Sequence, residues 1–279
     1  MQQRLEKIVL YPGAFSGVMT KYVAVQIAAD LPAESFEVHC GGIVTEERVE
    51  HFRNSEDCAF SFLSGDAREI IDQVKSRKHF YLNADGFALG IVTGDNKGKV
   101  KRIREDGMEC VFTGKEILRY VLKPAVNFLH YDRKEFQQVA PDKYYRAPEK
   151  LVYKFISDMP VFAYDNTGSL FLNSANILIP KIPGMSIKTV LAFLNSNFLR
   201  YYYSIIFGDV KILKGNLMLL PFPEISPETA MEIDRLVDAI LNNGDDCEEM
   251  LQKIIYECYQ LSKEQILIVE RYLYGNTAK

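Results

Sequence analysis

The sequence predicts an α+β protein, with a β-rich body of mixed or antiparallel strands, packed helices and a helical C-terminal tail. Three observations predict this class. Short β-branched and aromatic runs, separated by turn residues, recur from residue 7 to residue 179. An apolar repeat with helical spacing follows at 187–205. Beyond the hard break at 221–223, the chain continues as acidic amphipathic segments.

The first third of the chain alternates between β and helical patterns. Residues 7–45 are β-rich, with strands at Tyr22–Ile27 and Phe36–His39 on either side of Asp30-Leu31-Pro32. Residues 66–74 predict a helix that places Ile70, Ile71 and Val74 on one face.

The middle of the chain predicts strands around an irregular stretch. Cys110–Phe112 is a strand, and residues 115–122 form a short helix that Pro124 ends. Residues 127–146 are polar, aromatic and irregular. Four further strands are predicted at 151–156, 161–164, 171–172 and 177–179.

Helices dominate the end of the chain. Ser186 has the position of an N-cap for an apolar helix that runs to residue 205. The amides of Asn195 and Asn197 interrupt this helix, and we expect them to have a structural role in capping a neighbouring loop. The tail predicts three helices, at 227–242, 247–259 and 263–274.

The composition limits the classes of protein to which the chain can belong. The chain has 279 residues, of which 48% are hydrophobic, so it can bury a sizeable core. The five Cys are widely spaced without a C-x-x-C pair, which favours reduced thiols over zinc or disulfide frameworks. No apolar stretch is long enough for a membrane span or a signal peptide. We therefore expect a cytoplasmic protein with no membrane partner and no metal.

Charge is distributed unevenly along the chain. The net charge is −4 at pH 7, which by itself argues against a nucleic-acid partner. Residues 224–270, however, contain twelve acidic and three basic side chains, so the rest of the chain is net positive. A basic body is compatible with DNA binding, because the counterion effect depends on local phosphate contacts.

A glycine-bracketed turn at Gly90–Asn96 is followed by a basic segment. Glycine favours a tight, exposed turn there. On a strand, residues 97, 99 and 101 share one face and form a row of ammonium groups suited to phosphates. The alternative is a solvated hairpin whose edge lysines prevent aggregation. The candidate DNA-binding residues here are Thr93, Asn96, Lys97, Lys99, Lys101, Arg102 and Arg104.

A second island, Tyr144–Tyr153, mixes aromatic and cationic groups just before a strand. Such groups stack on bases or bind phosphates, although aromatic-rich loops are also common at the edge of a core. Tyr144, Arg146 and Lys150 are therefore further candidates for DNA contact. Tyr201–Tyr203, in contrast, lie on the apolar helix and are assigned mostly to the core. No carboxylate pair, histidine-centred triad, P-loop or dinucleotide fingerprint is present, so no catalytic, cofactor-binding or metal residue is predicted.

The order of these islands resembles the specificity domain of TaqI-type adenine-N6 DNA methyltransferases and fused type II restriction-modification enzymes. The resemblance runs from about Ala84 to Ile225. Its elements are G-I-x-T-G-x-N at 90–96, p-x-K-[LI]-[VI]-Y at 148–153, Phe162–Asp165, Leu194–Ser196, Val210–Lys214 and L-P-F-P at 220–223. Lys211 and Lys214 of the fifth element complete the expected DNA-binding set.

The resemblance implies three parts in the chain. Residues 1–80, which include the segment 14–20, resemble the last strands of a methyltransferase catalytic domain. Residues 81–223 resemble a DNA target-recognition domain, and residues 224–279 are expected to form a helical tail. The family's Asn/Asp-Pro-Pro-Tyr/Phe tetrapeptide, its glycine-rich cofactor loop and a PD-(D/E)xK nuclease core are missing. S-adenosylmethionine is therefore expected only on a catalytic partner or a missing domain.

Three hypotheses for function remain open. In the first, the chain is a non-catalytic module that binds double-stranded DNA and delivers it to a methyltransferase or restriction catalytic subunit. In the second, the acidic helices dock to such a subunit, or to a second copy, without DNA binding. In the third, the chain is an independent enzyme whose active-site residues are too scattered to recognise.

Overall fold

The structure, a computed structural model, describes residues 4–11, 22–29, 33–40, 43–50, 63, 65–208, 210–242 and 247–275. It contains helices together with mixed and antiparallel sheets, so the predicted α+β class is confirmed. The chain divides into two compact units, Met1–Leu63 and Ser64–Lys279.

The first unit contains a four-stranded sheet. Its strands are β1 (Arg4–Tyr11), β2 (Tyr22–Ala28), β3 (Ser35–Cys40) and β4 (Ile43–Arg48), in the order β2-β1-β3-β4. β1 pairs antiparallel with β2 and parallel with β3. Ile8, Phe36 and Val38 form the buried cluster. The strands predicted at 22–27 and 36–39 are confirmed, whereas segment 14–20 lies outside the described residues.

The second unit is built around several small sheets. Its strands are β5 (His79–Phe80), β6 (Phe87–Leu89), β7 (Glu109–Phe112), β8 (Phe128–Leu129), β9 (Lys150–Lys154), β10 (Phe162–Asp165), β11 (Leu170–Phe171), β12 (Ala175–Leu178) and β13 (Phe222–Pro223). The largest sheet has the antiparallel order β10-β9-β12-β6. In the three-stranded sheet, β7 pairs parallel with β11 and antiparallel with β8. β5 pairs with β13.

Helices surround these sheets. They are α1 (Gly65–Lys75), α2 (Asn96–Lys99), α3 (Asp142–Tyr145), α4 (Ile187–Asn195), α5 (Asn197–Ile206), α6 (Lys214–Leu217), α7 (Pro227–Leu241), α8 (Cys247–Cys258) and α9 (Lys263–Tyr274). The helix predicted at 66–74 and the three tail helices are present. Ser186 caps α4, since its hydroxyl accepts hydrogen bonds from the backbone N–H groups of Lys188 and Thr189.

The apolar helix predicted to run to residue 205 is in fact two helices, α4 and α5. Ser196 takes an extended conformation between them, and its hydroxyl accepts a hydrogen bond from Leu199 N, which starts α5. The Asn195 side chain leaves the helix and hydrogen bonds to both backbone groups of Phe162, at 3.0 Å to N and 2.9 Å to O. The expected structural role is confirmed for Asn195, although its amide binds the edge strand β10 and not a loop.

The short helix predicted at 115–122 is wrong, because this segment is a tight turn. Ile117 bridges to Leu122, and Tyr120 takes a φ of +71°. Tertiary hydrogen bonds fix this shape. Tyr120 N donates to Phe162 O at 2.8 Å, and Tyr120 O accepts from Tyr164 N at 2.9 Å. Pairing with β10 therefore overrides the local helical tendency.

The structure divides the chain after residue 63, whereas the sequence predicts divisions at 80/81 and 223/224, and the helical tail packs within the second unit. The Tyr259 ring lies 5.8 Å from the Phe193 ring and 4.2 Å from the Phe198 ring, between centroids. Its hydroxyl donates to Pro221 O at 2.7 Å. α1 joins the same unit, where Gln265 Nε2 donates to Gln73 Oε1 at 2.7 Å. The apolar inner faces of the tail helices explain this packing.

No helix in the described part of the chain is long and apolar enough to cross a membrane. The same residues contain no group of three or more His, Cys, Asp or Glu side chains that would hold a metal ion.

Candidate functional site

The turn at Gly90–Asn96 is closely packed within the second unit. A Cβ atom at Gly90 would overlap the carbonyl oxygens of Leu172 and Ala175, so only glycine fits there. Thr93 is 2% exposed, and its hydroxyl donates to Asn96 Oδ1 at 2.6 Å and accepts from Asp95 N at 3.1 Å. Thr93 shapes the turn from inside, whereas Asn96 lies at the surface.

The basic row predicted on a strand at 97–101 is wrong. Asp95 accepts a hydrogen bond from Gly98 N at 2.9 Å and starts the helical turn α2. Helical residues two positions apart point in different directions, so the lysines do not share a face. Lys99 Nζ turns inward and donates to the carbonyl oxygens of Thr93 and Glu135. Lys97 and Lys101 remain exposed.

The aromatic island is also largely occupied by internal contacts. Tyr144 OH donates to Asp85 O at 2.9 Å. Arg146 forms an ion pair with Glu109 at 2.7 Å, donates to Gly168 O at 3.1 Å, and lies 5.1 Å from the Tyr131 ring. The Glu109 carboxylate raises the pKa of Arg146. Tyr144 and Arg146 therefore hold the segment in place.

Lys150 is completely buried, which corrects its assignment as a DNA contact. Its ammonium group forms an ion pair with Asp165 and donates to Tyr145 O at 2.7 Å. Burial lowers the pKa of Lys150, and the Asp165 carboxylate opposes this shift. Burial acts to raise the pKa of Asp165, but Lys150 and the Thr167 hydrogen bonds outweigh it and hold that pKa below its usual value.

Three other predicted residues differ in whether their cationic groups bind partners inside the protein. Arg104 Nε donates to Met108 O at 3.2 Å, within its own loop. Lys214 Nζ donates to Ala84 O at 2.7 Å and lies 5.6 Å from the Phe87 ring. Lys211 is exposed, and its backbone bridges to Ile156 at the end of the largest sheet.

A groove of about 430 Å³ gathers basic residues that lie far apart in sequence. Arg102 follows the backbone bridge between Lys101 and Phe128. Lys115 lies on the turn after β7, and Lys154 is the last residue of β9. The lining residues are Arg102, Thr113, Gly114, Lys115, Glu116, Asn127, Lys154, Ile156 and Ser174.

The side-chain charges in this groove that have no ion-pair partner among the described residues are positive. Arg102, Lys115 and Lys154 have no ion pair with any of the described residues. Glu116 is 7% exposed, and its Oε2 accepts hydrogen bonds from Thr113 N and Thr113 Oγ1, both at 2.7 Å. The single carboxylate is thus turned into its own loop while three cations face the groove. This arrangement suits a polyanion.

Sequence reasoning identified Arg102 but missed Lys115 and Lys154. Lys115 is an isolated cation on the turn after β7, and Lys154 is an isolated cation at the end of β9. No local pattern distinguishes either from an ordinary surface lysine. Their proximity arises only because β7 and β9 end near one another at this groove.

The acidic side chains of the tail are largely satisfied within the second unit. Asp238 pairs with Lys188 at 2.7 Å, and Glu248 pairs with Arg119. Asp234 accepts hydrogen bonds from the hydroxyls of Ser186 and Thr189, both at 2.6 Å. The Asp238 carboxylate raises the pKa of Lys188. Several of the acidic side chains of the tail therefore anchor it to the rest of the second unit.

Comparison with known proteins supports the family resemblance. Residues 109–222 match the model of the TaqI-like C-terminal specificity domain, so the resemblance is confirmed for this segment. A comparison with curated protein sequences gives no match.

Solved structures of restriction-modification proteins are similar to the chain. The type IIL restriction-modification enzyme MmeI, solved in complex with DNA, aligns at 10% identity and a TM-score of 0.57, over 98% of this chain and 45% of MmeI. The type IIG restriction endonuclease BpuSI aligns at 13% identity and a TM-score of 0.41, over 92% and 44%. The HsdS subunit from Thermoanaerobacter tengcongensis aligns at 12% and 0.38, over 70% and 51%. The chain thus spans less than half the length of MmeI, and the likeness to MmeI shows a shared fold.

Proposed function

We propose that this chain is a DNA target-recognition module of a restriction-modification system, which binds duplex DNA and presents it to an adenine-N6 methyltransferase. The observation that carries the proposal is the groove between β7 and β9. It holds three unpaired cations and lies almost entirely within the segment that matches the TaqI-like specificity domain.

The groove supplies the part of binding that does not depend on DNA sequence. Phosphate contacts from Arg and Lys release condensed counterions and fix the register of the protein on the duplex. Base edges then supply the specificity. Lys97, Lys101 and Lys211 are exposed cations that would extend this phosphate-binding surface.

Methyl transfer would be performed by a catalytic partner or domain outside this sequence. The sequence lacks the glycine-rich cofactor loop and the catalytic tetrapeptide of the family. Isothermal titration calorimetry of the isolated chain with S-adenosylmethionine should therefore show no binding. Micromolar affinity would contradict this part of the proposal and favour an independent enzyme.

The DNA-binding proposal is tested by removing the groove cations. The variant Arg102→Gln/Lys115→Gln/Lys154→Gln should bind any duplex more weakly in fluorescence anisotropy. The slope of log affinity against log salt should flatten by about 0.9 for each lost phosphate contact. The matched control is Lys181→Gln/Lys253→Gln/Lys263→Gln, which removes the same charge from exposed positions outside the groove lining.

Two results would contradict the proposal. Equal slopes for the groove variant and the wild type would mean that the groove does not contact phosphates. Absence of salt-dependent duplex binding by the wild-type chain would favour the alternative, a module that docks to a catalytic subunit without binding DNA.

A further inference from the structure

The loop at residues 102–107, which we call the reader loop, exposes an isoleucine beside the basic groove. Ile103 is 79% exposed, more than any other large apolar side chain in the described part of the chain. It directly follows Arg102, which lines the groove. A single exposed apolar residue is ordinary on a protein surface. Ile103 differs from such residues because it lies beside a cationic groove on an exposed loop.

The reader loop is held at both ends. Before it, Lys101 exchanges two backbone hydrogen bonds with Phe128, at 2.8 and 2.9 Å. After it, Met108 is 4% exposed, and its N–H donates to Glu105 O at 3.2 Å. Gly107 makes the turn with a φ of +74°, a conformation that favours glycine. A short anchored loop loses little conformational entropy on binding, so Ile103 is already presented to a partner.

The charges of the loop indicate which part of DNA it meets. Arg104 is hydrogen bonded to Met108 O within the loop. Glu105 and Asp106 are exposed and have no ion pair with any described residue. Carboxylates repel phosphates and the electronegative minor groove, but in the major groove they accept hydrogen bonds from the cytosine amino group. Thymine, which carries a methyl group, is the base that offers an apolar contact in the same groove.

We propose that the reader loop enters the major groove and that Ile103 contacts the 5-methyl group of a thymine in the target sequence. This inference rests on the proposed function and makes it more specific, since it assigns one base contact to one residue. Arg102 at the start of the loop would hold the adjacent phosphate, and Ile103 would contact the base edge.

The experiment is a double-mutant cycle between the side chain and the methyl group. A target duplex is first selected from a random library with the 279-residue wild-type chain. Each thymine is then replaced in turn by deoxyuridine, which removes only the methyl group. Affinities are measured by fluorescence anisotropy for the wild type, for Ile103→Ala and for the control Leu267→Ala. Leu267 is 63% exposed and lies on α9, outside the groove lining.

One deoxyuridine position should weaken wild-type binding by about threefold to fivefold, the effect expected for one buried methyl group. The same replacement should leave the affinity of Ile103→Ala unchanged, while Leu267→Ala should keep the full loss. If Ile103→Ala loses as much affinity as the wild type at every deoxyuridine position, or the wild type loses none, the thymine contact is refuted while DNA recognition stands. If the wild type selects no sequence, the proposed function itself fails.

Discussion

Lys150 and Asp165 form an ion pair that is closed to solvent, with 0% and 1% of their side chains exposed. Lys150 also donates to Tyr145 O, and Asp165 accepts hydrogen bonds from the backbone N–H groups of Thr167 and Ser169 at 3.1 and 3.2 Å. One pair thus joins the starts of β9 and β11, the end of β10, and α3. A lysine expected at the DNA surface holds the interior of the unit together.

Removing one partner of this pair should be strongly destabilising. Lys150→Met leaves the Asp165 carboxylate buried without a cation, so the free energy of unfolding should fall by about 3–5 kcal/mol. Lys150→Met/Asp165→Asn should recover part of this loss because no unpaired charge remains. Lys188→Met, at the more exposed pair with Asp238, should lose about 1 kcal/mol or less. Urea unfolding measures all three, and equal losses for the single and double variants would contradict the argument.

The same carboxyl group should make the protein sensitive to acid. Because the pKa of Asp165 is lowered in the folded state, the stability it contributes is present above its unfolded pKa of about 3.9 and disappears as pH falls through the folded value. The wild type should therefore lose its stability advantage over Asp165→Asn as pH falls below about 4. Urea unfolding of both proteins between pH 3 and pH 7 checks this. A difference that stays constant over that range would exclude Asp165 as its source.

Tyr259 should be among the largest contributors from the tail. Tyr259→Ala removes a ring packed between Phe193 and Phe198, so the loss should be about 3–5 kcal/mol. Tyr259→Phe keeps the ring but leaves the Pro221 carbonyl without its donor, and should lose about 1–2 kcal/mol. Met231→Ala, at a position 64% exposed on α7, is the control and should change the unfolding free energy by less than about 0.5 kcal/mol.

Truncated chains should show whether the folded unit ends at residue 223 or includes the helical tail. Residues 64–279 should unfold cooperatively, since they form one compact unit. Residues 64–223 should not, because they lose the helices that cover α4 and α5 and leave that apolar surface in water. Thermal unfolding followed by circular dichroism compares the two. A cooperative transition in the shorter chain would restore the predicted boundary at residue 223.

Local patterns in the sequence were sufficient for most of the elements. The serine before an apolar repeat predicts the start of α4, and β-branched runs predict β2, β3 and β9 through β12 approximately. The errors occur where distant contacts override local tendency. Pairing with β10 turns 115–122 away from a helix, and an Asp95 cap turns 97–99 away from a strand.

The candidate site was harder to predict than the fold. Whether a cation is free depends on the three-dimensional position of carboxylates and carbonyls, which spacing does not report. Lys150 and Lys99 belong to motifs that suggest DNA contact, but their ammonium groups bind partners inside the protein. Lys115 and Lys154 belong to no motif and are free at the groove. Arg102 was identified because it lies in a basic run, and the structure shows that it is exposed.

The contact between Asn195 and Phe162 has a consequence for how the protein behaves at high concentration. β10 is an edge strand of the four-stranded sheet in the second unit, and an open edge is a template for strand addition by another molecule. The Asn195 amide occupies both the N–H and the carbonyl of Phe162, as an added strand would. Tyr120 N also donates to the Phe162 carbonyl, and Tyr120 O accepts from the neighbouring Tyr164 N. The β10 edge of the sheet is thereby protected from strand addition at Phe162 by a side chain projecting from the end of a helix.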